Sequence, residues 1–249
     1  MTSAQRVLLW FAATGIVGAS LAIAQAEPMP AACAAPAEMI ATDMPLPSWA
    51  AALTRGDPIR IVAIGGRSTL GPAAGATGRP YPQQLELDLA ARFPAASIRV
   101  LNKGGTGQTA ADMLARFDRD VLAEKPALVL WETGTVDAVQ HVYTEDFVDA
   151  LQTGIDELRD RHIALILIDP QYSRSTAELM DFEPYLEALH RIAEINGIYL
   201  FPRYEVMQYW AQAGMFDFED AGKERGKFAA QVYRCIAANL AEVISGAGH

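Results

Sequence analysis

Beyond Pro58 the chain alternates between short, predominantly apolar runs and longer stretches in which apolar residues recur every three or four positions. The short runs are "IRIVAIG" (59–65), "SIRVLN" (97–102), "ALVLWE" (127–132), "IALILID" (163–169) and "IYLF" (198–201). Their length and aliphatic, partly β-branched content predict five strands. The longer stretches predict helices. "YPQQLELDLAARF" (81–93) puts Tyr81, Leu85, Leu89 and Phe93 on one face, and "TAADMLARFDRDVLA" (109–123) does the same with Met113, Phe117 and Val121. "TEDFVDALQTGIDELRDR" (144–161) turns Phe147, Leu151, Ile155 and Leu158 inward, with Thr144 as its expected N-cap. "PYLEALHRIAEING" (184–197) closes on Gly197, and "AAQVYRCIAANLAEVI" (229–244) is the last helix.

A strand that is apolar on both faces has to be covered on both. Five such strands alternating with helices predict an α/β protein. Its architecture is a three-layer α/β/α sandwich around a mostly parallel, five-stranded, flavodoxin-like sheet. Ligands of such sheets bind beyond the carboxyl ends of the strands. The segments of interest are therefore Gly65–Gly71, Asn102–Thr109, Glu132–His141, Asp169–Arg174, Pro202–Tyr204 and the turn before the last helix.

The pattern before Pro58 is different. "MTSAQRVLLWFAATGIVGASLAIAQAEP" has a basic residue at Arg6, an apolar run from Val7 to Ala24, and a small-x-small site ending at Ala26. It predicts a secretory signal peptide over 1–26 and export to the periplasm or beyond. The alternative is a retained anchor, because Val7–Ala24 is nearly long enough to span a bilayer. Residues 27–57 are rich in Ala and Pro and predict a linker, or an arm packed on a domain running from 58 to 249. No internal repeat is evident.

Charge and cysteine content narrow the chemistry. The 249 residues carry a formal net charge of -10, which disfavours binding to phosphate backbones of nucleic acids. Of the two cysteines, Cys33 and Cys235, an exported chain is expected to make a disulfide. Two cysteines and four scattered histidines do not make a zinc site, and no cofactor is expected.

Three segments carry a resemblance. "IVAIGGRSTLG" (61–71), "LNKGGTGQTAADML" (101–114) and "LVLWETGTVDA" (128–138) are similar, in order and in strand–loop–helix context, to three blocks of the SGNH/GDSL hydrolases, which are esterases and acylhydrolases. The resemblance runs from Ile59 to about Ile244 and implies the SGNH hydrolase fold. It also implies a small-molecule or carbohydrate ester as the ligand class. By the same resemblance Gly107 occupies the position of the glycine that donates a backbone N–H to the oxyanion, and Asp137 is shared with the third block.

The catalytic set itself is replaced. With the first block anchored on Gly65 and Gly71, the nucleophile position holds Arg67, and Ser68 lies one residue late. Val136 stands where the family has an oxyanion-binding asparagine. No histidine occurs between Arg191 and Gly248, and the register set by "YRCIA" places Glu224 and Lys227 at the acid and histidine positions. A serine hydroxyl needs a base beside it to attack at neutral pH, and arginine cannot be that base. Losing the base costs roughly 10²–10⁴ in rate, and losing an oxyanion donor roughly 10²–10³.

The leading expectation is therefore a hydrolase-like protein with a degenerate site that binds an envelope carbohydrate or a small anion. Its candidate ligand rim comprises Arg67, Gln108, Glu132, Asp169 and Arg203. A competing expectation for the same residues is a salt-bridge plug, with Arg67 paired to Glu132 or Asp137. A further alternative is a working esterase rebuilt on Ser68 with Lys227 or His141 as base. Ser68 and Thr69 have a plainer reading as turn or N-cap residues.

Overall fold

The structure is a computed structural model that describes residues 33–71, 78–218 and 225–247. The signal-peptide segment, Glu224 and His249 lie outside the described residues. Two short helices come first, α1 (Ala37–Ile40) and α2 (Pro47–Arg55), then β1 (Ile59–Gly65), α3 (Arg67–Leu70), α4 (Tyr81–Arg92) and β2 (Ile98–Gly104). The next group is α5 (Ala110–Leu114), α6 (Phe117–Asp120), a 3-10 turn at Leu122–Glu124, β3 (Leu128–Glu132), α7 (Thr135–Val139) and α8 (Thr144–Asp160). The chain continues through β4 (Ala164–Ile168), α9 (Arg174–Leu179), α10 (Glu183–Asn196), β5 (Tyr199–Phe201), α11 (Arg203–Gln212) and α12 (Arg225–Gly246).

All four strand pairings are parallel, in the order β2-β1-β3-β4-β5. Two-residue periodicity divides each strand between two cores. Ile61, Ala63, Leu128, Leu130, Ile166, Ile168 and Phe201 face the layer of α4, α11 and α12. Val62, Ile64, Val129, Trp131 and Leu167 face the layer of α5, α6, α8 and α10. The three-layer α/β/α sandwich expected from the strand pattern is what forms. Among the described residues, no helix is long and apolar enough to cross a membrane.

The segment from Cys33 to Asp57 packs on the α12 side. Cys33 is disulfide-bonded to Cys235 in α12, across a sequence separation of 202. Trp210 Nε1 donates to the Ala34 carbonyl at 3.2 Å, the Tyr199 hydroxyl to Ile40 at 2.8 Å, and Trp49 Nε1 to Ile244 at 3.1 Å. Trp49 and Trp210 are fully buried as a result.

Two local expectations are corrected. The single helix expected over 109–123 breaks at Ala115–Arg116 into α5, α6 and the 3-10 turn. The break keeps Met113, Phe117 and Val121 buried while freeing Arg116 to donate to the Lys103 carbonyl and to Gln108, each at 2.7 Å. Thr144 does not cap α8; it is the first helical residue, after Tyr143, and makes no side-chain cap bond.

Candidate functional site

In a 2-1-3-4-5 sheet the connections leave in opposite directions between β1 and β3, and this switch point opens the crevice at the carboxyl edge. The register brings Gly65, at the end of β1, level with Gly104 of β2, and Glu132 of β3 level with Ile168 of β4. α3 lies tightly against both glycines of the first pair, with its backbone on Gly104 and the Thr69 side chain on Gly65. A Cβ on Gly104 would sit 2.1 Å from the Leu70 amide nitrogen, and one on Gly65 2.2 Å from Thr69 Oγ1. Asn102 fixes the same turn from β2, donating to the Thr69 carbonyl at 2.7 Å and accepting from Gly104 N–H at 2.9 Å.

That packing aims Ser68 and Thr69 inward, at Glu132. The Ser68 hydroxyl donates to Glu132 Oε1, and the Thr69 hydroxyl to Oε2. From the start of α11, Arg203 donates Nη1 to Ser68 Oγ at 3.0 Å and pairs Nη2 with Glu132 Oε1 at 3.2 Å. Both ions are almost fully buried, at 3% and 4% side-chain exposure, so each depends on the other for compensation. Tyr81 completes the cluster 3.3 Å from Thr69 Oγ1. Burial, with the Glu132 charge beside it, pushes the Tyr81 phenol well above its ordinary value.

The geometry therefore builds the salt plug with a different arginine. Arg67 does not pair with Glu132 or Asp137: it is exposed as the first residue of α3, immediately before Ser68. Arg203 and Glu132, expected on a ligand rim, form the plug beneath it. Sequence reasoning missed this pairing, although a signal was present. Glu132 ends a run of five fully apolar positions and Arg203 follows an apolar strand by two residues, so both were destined for burial and needed partners.

The remaining candidates are dispersed. Gln108 is half-buried, and its carbonyl oxygen is held by Arg116. Asp169 is fully buried rather than rim-forming; its Oδ1 accepts the Tyr204 N–H at 2.8 Å while Oδ2 has no partner among the described residues. Burial raises its carboxyl to about 7, against the pull of the Tyr204 amide and Arg203. Asp137 is buried and joins two loops, accepting from Ala110 N–H at 2.9 Å and Gly134 N–H at 3.2 Å. Burial raises its carboxyl too, and those backbone donors oppose the shift.

Gly107 is exposed at the crevice edge with open space around its α-carbon, an available backbone donor. Lys227 lies exposed in α12 and is not a partner of Ser68, whose hydroxyl is bonded to Glu132 and Arg203. A Ser–Lys arrangement requires the amine beside the hydroxyl, so this pairing is not made. His141 is exposed, in a left-handed turn with φ 53 after α7, and is likewise not bonded to Ser68. Ser68 and Thr69 do not act as caps either; α3 has Gly66 at its N-cap with no side-chain bond. Among the described residues, no group of three His, Cys, Asp or Glu is placed to hold a metal ion.

Solved structures of similar fold are ester hydrolases by name. A putative lipolytic protein of the G-D-S-L family from Desulfitobacterium hafniense superposes with a TM-score of 0.58 at 26% identity, over 74% of this chain and 98% of that one. A lipase/acylhydrolase from Enterococcus faecalis gives 0.62 at 23% identity, over 76% and 96%. An acetylxylan esterase from Geobacillus stearothermophilus gives 0.63 at 21% identity, over 76% and 95%. By sequence, an acetylxylan esterase of the same organism is 32% identical over 108 residues, 39% of this chain, and the match spans about half (49%) of that protein's length. The profile of the non-GDSL lipase-like family matches residues 32–248. An esterase-type sheet, an α3 turn at its switch point and that match over most of its length make this chain a member of the non-GDSL lipase-like family, with an SGNH/GDSL-type hydrolase fold.

Proposed function

We propose that the protein is an exported member of this family that does not hydrolyse esters at the usual site and instead binds a small anionic or carbohydrate ligand at the mouth. The observation that carries the reading is the state of Ser68. Its proton is directed into Glu132, its lone pair receives an N–H of Arg203, and the residue is 9% exposed. A nucleophilic oxygen must present a lone pair to a carbonyl carbon. Here a permanently protonated guanidinium engages one of the two lone pairs and draws charge from the oxygen, and burial limits the approach of an ester to the other. The nucleophile position itself holds Arg67, which is exposed and suited to a carboxylate, a phosphate or sugar hydroxyls. Val136, in place of an oxyanion-binding asparagine, removes a further transition-state donor. The Cys33–Cys235 bridge supports export, since such bonds persist in oxidising compartments.

The disulfide-bonded chain is expected to turn over p-nitrophenyl acetate no faster than its Ser68→Ala variant, and to resist labelling by a fluorophosphonate. Turnover that Ser68→Ala abolishes would restore the esterase reading, with Glu132 as the base nearest the hydroxyl. For binding, acetylated xylo-oligosaccharides and small dicarboxylic acids are expected to raise the melting temperature of the wild type and not of Arg67→Ala. Sequencing of protein recovered from the envelope should begin at Glu27.

A further inference from the structure

A second concavity lies at the opposite pole, floored by the amino ends of β1, β3, β4 and β5 and walled by α2. Its volume of about 750 Å³ falls within the ~300–1,000 Å³ usual for small-molecule sites. The esterase-type crevice plays no part in it. The packed N-terminal segment and the four turns that enter the strands build it.

Its lining is chemically biased. Arg55, Arg60, Lys125 and Arg159 converge there with His162, whereas Asp57 is the only carboxylate among the described lining residues. This is a cationic site on a chain whose formal charge is -10, so the bias runs against composition. The arginines are partly tethered: Arg55 to Asp57 at 3.4 Å, Arg60 to the Glu124 carbonyl at 3.1 Å, and Arg159 to Asp156 at 2.8 Å. The Lys125 side chain is exposed. Lys125 and His162 also adopt left-handed backbone, φ 50 and φ 55, where glycine would be the easy residue. The Ser48 hydroxyl, from α2, ties the His162 carbonyl and so fixes one of those turns. Below the cationic rim the wall and floor turn apolar, with Leu46, Ala52, Ile59, Leu158 and Leu165.

A charged rim over an apolar floor selects an anion with an apolar body. We infer that this pole is a binding site for a small anionic amphiphile, a carboxylate or phosphate head carried on an alkyl or aromatic body. The head would meet Arg60 and Lys125, and the body would lie between α2 and the strand ends. Such a ligand arrives either free in solution or drawn from a lipid surface.

Calorimetric titration of the whole disulfide-bonded protein tests this with three probes below their micelle concentrations: octyl phosphate, octyl glucoside and inorganic phosphate. Octyl phosphate is expected to bind at least tenfold more tightly than either of the others, and to weaken as salt rises from 20 to 300 mM. The double variant Arg60→Glu, Lys125→Glu should lose that binding at least tenfold with its melting temperature retained. Arg67→Glu, at the other pole, should leave it intact. Equal binding of octyl glucoside, or of inorganic phosphate, overturns the inference. So does loss of octyl phosphate binding in Arg67→Glu alone, which would place the anion at the mouth. If the double variant misfolds, the salt dependence and probe ranking of the wild type decide the matter by themselves. Vesicles with and without anionic lipid separate the two sources: co-sedimentation only with anionic vesicles identifies a lipid source, and binding of octyl phosphate without co-sedimentation identifies a free ligand.

Discussion

Glu132 and Arg203 exchange solvent for each other, and the single-residue behaviour of the site follows from that trade. Removing one partner leaves an uncompensated buried charge, which costs about 3–5 kcal/mol. Glu132→Ala is accordingly expected to lower the unfolding free energy by that amount in urea denaturation. Glu132→Leu combined with Arg203→Met should recover most of it, because no ion then remains to be compensated. Ser68→Ala removes two hydrogen bonds to charged groups, each worth about 1.5–3 kcal/mol, with ester turnover unaffected. Asp169 carries a different signature. Its folded carboxyl sits at about 7 against an ordinary 3.8, chiefly from burial, so the folded state holds the proton more tightly than the unfolded. Its contribution to stability is full below the ordinary value, declines as pH rises toward about 7, and is lost above that. Asp169→Asn keeps an acceptor for the Tyr204 amide and removes the charge. Its melting temperature should match the wild type at pH 4 and exceed it at pH 8.

At the scale of elements, the decisive feature is how closely α3 lies on β1 and β2. Gly104→Ala would place a methyl group 2.1 Å from the Leu70 backbone, and backbone cannot yield as a flexible side-chain end can. A loss of about 1–3 kcal/mol is expected from such overpacking. The displacement of α3 should also disengage Ser68 and Thr69 from Glu132, and a crystal structure of the variant would record it. The broken helix after β2 belongs to this scale as well. Its apolar spacing was legible in the sequence and stayed true, since Met113, Phe117 and Val121 are all buried. The break was not legible, because it depends on Arg116 reaching the Lys103 carbonyl, a contact between elements.

For the whole molecule, the Cys33–Cys235 bridge closes nearly the entire described chain. A loop of 202 residues corresponds to about 5 kcal/mol in the chain-entropy account. Cys33→Ser, Cys235→Ser is expected to lower the urea midpoint. It should also expose the segment around Cys33–Asp57 to limited proteolysis before the sheet unfolds. That segment forms one wall of the basic cleft as well as part of the core. Octyl phosphate binding should therefore weaken in the reduced protein while the mouth at the other pole stays assembled.

The local chain fixed the sandwich, the parallel sheet and the position of the mouth, because each rests on periodicity: apolar runs demand two covering layers, and parallel strands place loops at their carboxyl ends. It fixed, too, that no histidine lies between Arg191 and Gly248, since residue identity needs no coordinates. Tertiary structure alone decided which arginine meets Glu132. Arg67 is near in sequence and points to solvent, whereas Arg203 is 71 residues from Glu132 and is carried to it by β5. The basic cleft was invisible for the same reason. Arg55 ends α2, Arg60 lies at the start of β1, Lys125 precedes β3, and Arg159 and His162 bracket the end of α8, and only the folding of the strands brings their charges to one pole.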